Sequence, residues 1–68
     1  MEECMYTVVI VKHYDSQPLK TKPVAAIPHN NPVGMGLQIF GRWAKKHDVN
    51  LEHEDYTYTY YIVRNEKV

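Results

Sequence analysis

The chain has 68 residues, no net formal charge and a single cysteine, Cys4. That length makes one domain, 1–68, which buries only about 60% of the surface its unfolded form exposes, and the lone cysteine excludes an intrachain disulfide. Met1-Glu2-Glu3 is acidic and the apolar run Val8-Val9-Ile10-Val11 is too short for a signal segment or a membrane span, so a cytoplasmic chain that does not cross a membrane is expected.

Between Cys4 and Tyr14, the residues Thr7, Val8, Val9, Ile10 and Val11 follow one another without Gly or Pro, which predicts a first strand. Asp15-Ser16-Gln17-Pro18 is turn chemistry, since Asp and Ser bond their own backbone and Pro pre-sets φ. A second strand is predicted from about Leu19 to Ile27, and Pro23 within it cannot donate to a ladder, which places it at a sheet edge.

Pro28-His29-Asn30-Asn31-Pro32 reads as a breaker and a helix start, with Asn31 capping and Pro32 first in the helix. At about 100° per residue, Val33, Gly36, Leu37, Ile39, Phe40, Trp43 and Ala44 share one arc, opposite Gln38, Arg42 and Lys45. The helix should end near Asp48, with Lys45, Lys46 and His47 at the negative end of its dipole and Asn50 as a left-handed cap. Gly34 and Gly41 lie seven apart on one side and could admit a partner. The third strand is predicted from Asp55 to Arg64; it holds four of the six tyrosines.

The order strand, strand, helix, strand predicts an α+β fold of ββαβ type: a three-stranded antiparallel sheet in the order 2-1-3 with one amphipathic helix on one face. Side chains alternate across a strand, so Tyr56, Tyr58, Tyr60 and Ile62 share one face and Thr57, Thr59, Tyr61 and Val63 the other. The first strand divides into Tyr6, Val8, Ile10 and Thr7, Val9, Val11, His13. One helix covers one face, and whichever it takes, the other stays rich in Val, Thr and Tyr. Below ~70–80 residues a single core rarely supplies more than ~3–5 kcal/mol, and a partner subunit is one usual remedy. Thr and Tyr whose hydroxyls simply stay wet are the alternative.

Charge is unevenly spread. Lys12, Lys20, Lys22, Arg42, Lys45 and Lys46 face Asp15 alone, six against one, giving +5 from Lys12 to Lys46; Asp48, Glu52, Glu54 and Asp55 then give −4 before Tyr58. Such a dipole steers charged partners, or merely solvates a surface.

Sites of chemistry are weakly indicated. His47, Asp48, His53, Glu54 and Asp55 lack the spacing of a zinc site. Gly34-Met35-Gly36 follows no parallel strand and precedes no Lys-Ser or Lys-Thr, and Cys4 has no oxyanion motif. No enzyme activity, cofactor, metal or small-molecule substrate is expected. The tyrosines Tyr56, Tyr58 and Tyr60 with Lys12, Lys20 and Lys22 could bind single-stranded nucleic acid by stacking, although Glu52, Glu54 and Asp55 sit beside them.

The succession of strand, hairpin, strand, amphipathic helix and a last strand ending in Ile62-Val63-Arg64 resembles the small phage-encoded inhibitors of host enzymes, of the T7-type RNA polymerase inhibitor kind. The second strand here is basic where that inhibitor's is acidic. The resemblance implies a protein that docks a larger host protein. The leading expectation is therefore a non-enzymatic protein-interaction module, an inhibitor or regulator of a larger protein or a homodimer through the open sheet face. Its contacts would be Val9, Val11, Trp43, Thr59, Tyr61 and Val63, helped by an unpaired third-strand edge, with Arg42, Lys45 and Lys46 steering.

Overall fold

A computed structural model describes residues 5–65. The elements are β1 (Tyr6–Tyr14), a single 3-10 turn (Pro18–Lys20), β2 (Lys22–His29), α1 (Gly36–Lys46) and β3 (Tyr56–Arg64). The three strands form one antiparallel sheet in the order β2-β1-β3, so the fold is α+β as the sequence predicts.

Opposed residues of an antiparallel pair point to the same side, and the register fixes both faces. Val8 lies between Ile27 and Ile62, and Ile10 between Ala25 and Tyr60. This side carries the helix: Phe40 packs on Tyr60 with ring centroids 5.6 Å apart and Trp43 on Tyr58 at 5.8 Å. Val8 and Ile10 are fully enclosed, and Ile39, Phe40 and Ala44 of α1 close the core above them. The β-branched run that predicts β1 thus makes it the central strand, paired on both edges.

Several boundaries differ from the sequence reading. The first strand begins at Tyr6, and its predicted start at Cys4 lies outside the described residues. β2 begins at Lys22 because Pro18–Lys20 coil into the 3-10 turn, and it runs on through Pro28 to His29, so Pro28 is a strand residue and no breaker. Asn31 does not cap the helix; its N–H donates to His29 Nδ1 at 3.0 Å. Pro32 is not the first helical residue, since its carbonyl accepts from the Met35 N–H at 2.8 Å and closes a turn. Gly34 sits third in that turn with φ +81, the left-handed backbone glycine tolerates. Two glycines in three positions weaken the helix start, so α1 begins only at Gly36.

At the other end α1 stops at Lys46, two residues short of the predicted limit. Val49 N–H reaches back to the Ala44 carbonyl at 2.9 Å and Asp48 N–H to that of Lys45 at 3.3 Å, the paired bonds of a Schellman ending. Asp48, with φ +53, takes the left-handed position, whereas Asn50 closes a small turn by accepting from the Glu52 N–H at 3.0 Å. A left-handed backbone is strained for a residue with a Cβ, and a carboxylate opposes the negative helix end. Asp48→Gly is therefore expected to stabilise the fold by about 1 kcal/mol, read as a higher urea midpoint at unchanged slope.

Candidate functional site: the uncovered sheet face

With the helix on one side, the other side of the sheet presents Thr7, Val9, Val11 and His13 from β1, flanked by Pro28, Ala26 and Pro23 of β2 and by Val63, Tyr61, Thr59 and Thr57 of β3. None of these positions holds Asp, Glu, Lys or Arg. Tyr61 and Val63 are 49% and 40% exposed, and Val9, between Ala26 and Tyr61, is half-buried only by its strand neighbours.

Four polar side chains bond in pairs towards the two ends of the face. His13 Nε2 and Thr59 Oγ1 lie 2.7 Å apart, a diagonal bridge beside Val11, which is itself buried. At the opposite end the Thr7 hydroxyl donates to Asn65 Oδ1 at 2.9 Å. Between them lies an apolar centre of Val9, Ala26, Tyr61 and Val63, over which no helix lies among the described residues.

The candidate contact residues divide between the two sides. Val9, Val11, Thr59, Tyr61 and Val63 come together on the uncovered face. Trp43 does not join them: it lies half-buried on α1, over Tyr58 and 5.3 Å from the His47 ring. Arg42, Lys45 and Lys46 are exposed on the same helix, so their charge lies on the helix side of the sheet. Ala26 and Pro28 belong to the face but escape the sequence reading, Pro28 because the predicted second strand stops at Ile27 and Ala26 because the alternation is followed only along the first and third strands.

Tyr56, Tyr58 and Tyr60 share the helix side of the sheet, and Tyr58 and Tyr60 meet the helix itself. Tyr60 meets Phe40 and backs onto Gly36, where an added Cβ would stand 2.5 Å from the Tyr60 ring. Tyr58 takes Trp43 edge-on at 72°, and Tyr56 stacks on His53 at 4.1 Å and 8°. His53 Nδ1 accepts the Asp55 N–H at 3.0 Å and lies 3.9 Å from the Asp55 carboxylate. Lys12 lies opposite Lys22 across the strands and folds its ammonium onto tyrosine rings, 3.9 Å from the centroid of Tyr56 and 5.0 Å from that of Tyr14. The Lys12 ammonium is held above its ordinary pKa, chiefly by hydrogen bonding with Tyr14, with desolvation opposing and Tyr58 adding to the rise. Lys20, in the 3-10 turn, is exposed and lines a shallow hollow with Tyr14 and Lys22.

Among the described residues no three His, Cys, Asp or Glu gather as metal ligands, and no helix is long and apolar enough to cross a membrane. No family model, curated protein or solved structure matches the chain.

Proposed function

We propose that the chain is a non-enzymatic protein-interaction module that docks another protein through the uncovered sheet face. The observation that carries this reading is the apolar centre of that face, bare of charge and bounded by bonded polar pairs. A dry centre inside a polar rim is the anatomy of a protein interface, and a contiguous exposed apolar patch on so small a body marks an interaction site. Tyr61, half-exposed at the middle of it, has the amphipathic bulk that dominates binding energy at such surfaces. A small inhibitor or regulator of a larger protein is the form of this reading closest to the resemblance in element order.

Single-stranded nucleic acid is the weaker reading. Stacking needs free ring faces, and those of Tyr56, Tyr58 and Tyr60 are met by His53 and Lys12, by Trp43, and by Phe40 and Gly36 respectively.

A photoreactive amino acid placed at Thr59, and in a second variant at Gln38 on the helix side, tests the docking face in source cells. Adducts of defined mass from Thr59 and none from Gln38 are the expected result. Equal labelling from both positions, or none from Thr59, would count against the reading.

A further inference from the structure

We infer that two copies of this chain join along their β3 edges into one continuous six-stranded antiparallel sheet. The inference rests on the reading of the chain as an interaction module and names a second copy as the partner at the edge, leaving the uncovered face free for another protein.

The backbone polarity of β3 follows from two bonds at its ends. Asp15 N–H donates to the Asp55 carbonyl at 3.2 Å and Asn65 N–H to the Met5 carbonyl at 2.8 Å. In an antiparallel ladder bonded and non-bonded pairs alternate, so the odd-numbered residues of β3 turn their backbone groups to β1. Tyr56, Tyr58, Tyr60, Ile62 and Arg64 turn theirs outward, and among the described residues no strand meets them.

The two edges of the sheet are not alike. On β2 the same alternation turns outward the backbone of Pro28, opposite Thr7, and of Pro23, opposite Val11. Neither nitrogen carries a hydrogen, and the register slips at Val24 between Pro23 and Ala25. Proline and bulges are how sheets blunt an edge. β3 has neither: its nine residues pair with β1 in unbroken register, with no proline and no lysine.

A two-fold axis perpendicular to the sheet pairs residues of the same parity, and with the axis at Tyr60 the edge complements itself. Tyr60 then meets its own copy, Tyr58 meets Ile62, and Tyr56 meets Arg64. Every outward N–H and C=O of β3 gains a partner, and no two like charges oppose. On the uncovered side Thr59 meets Tyr61 and Thr57 meets Val63, favourable aromatic and β-branched pairs. Both helices fall on one side, and the two apolar faces become one surface twice as wide.

Amide hydrogen exchange on the unmodified chain, with sedimentation at matching concentrations, tests the pairing. At high concentration the mass should be twice the 8.0 kDa of the chain, with the amides of Tyr58, Tyr60 and Ile62 protected and exchanging about tenfold or more faster on dilution to monomer. The amides of Thr57, Thr59 and Tyr61, bonded to β1, should change far less. Ile62→Pro removes an outward donor without touching a bond to β1 and should sediment as a monomer; if it does not fold, exchange in the unmodified chain still decides. A chain monomeric throughout, or a dimer whose Tyr58, Tyr60 and Ile62 amides exchange freely, would overturn the pairing. Either result is distinct from failure of the interaction-module reading, which shows as the absence of Thr59 adducts to any chain other than a second copy.

Discussion

Ile10→Ala is expected to leave the chain largely unfolded in water at room temperature. Ile10 is fully enclosed on the central strand, between Ala25 and Tyr60 and beneath α1. Truncating a buried Ile costs ~2–5 kcal/mol, because the transfer energy is lost and a cavity remains. One core of this size rarely supplies more than ~3–5 kcal/mol in all, so a single substitution consumes most of the stability. The measurement is urea unfolding followed by circular dichroism, with Val63→Ala as the comparison. Val63 is 40% exposed on the other face and should cost under about 1 kcal/mol. Equal costs at the two positions would mean that the helix does not define which face is interior.

Gly36→Ala and Gly41→Ala should move stability in opposite directions. By helix propensity alone both gain about 1 kcal/mol, since alanine gives up less backbone freedom than glycine. At Gly41 nothing lies within 4 Å of the added methyl, so the gain is realised. At Gly36 the methyl would stand 2.5 Å from Cε2 of Tyr60 and 3.0 Å from its Cζ and Oη. The ring cannot simply swing aside, because Phe40 holds it at 5.6 Å. Overpacking of this kind costs ~1–3 kcal/mol, so the two variants should differ by roughly that much, with Gly36→Ala below the unmodified chain. Matching urea midpoints for the pair would show that α1 does not press on Tyr60.

The same residues explain how far the sequence could be read. An unbroken β-branched run, a tyrosine strand and an apolar helix arc leave little freedom in element order, and Pro23 marks β2 as an edge strand; of that arc, Leu37 and Val33 stay 70% exposed, Val33 because it precedes the helix. Which face the helix covers was not legible, because both faces of β1 and β3 are apolar and alternation cannot rank them. Tyr60 against Gly36 decides it, a close approach that sequence spacing does not reveal. The helix start was misread because Asn31-Pro32 is a true capping signature here spent on a turn, and its end because Asp48 takes a position that usually falls to Gly or Asn. Of the contact candidates, the strand residues were legible from alternation, whereas Trp43, on the dry helix arc and most simply a core residue, was also offered as an interface anchor and lies on the helix side.

Tyr61→Glu tests most directly the claim that one side of the sheet is reserved for another molecule. It places a charge at the middle of the uncovered face, opposite Val9 and away from the core. The expected result is an unfolding midpoint within about 1 kcal/mol of the unmodified chain, together with loss of the adducts formed from Thr59. A variant that unfolds would show Tyr61 to be interior, and one that keeps both its stability and its adducts would show that nothing docks there.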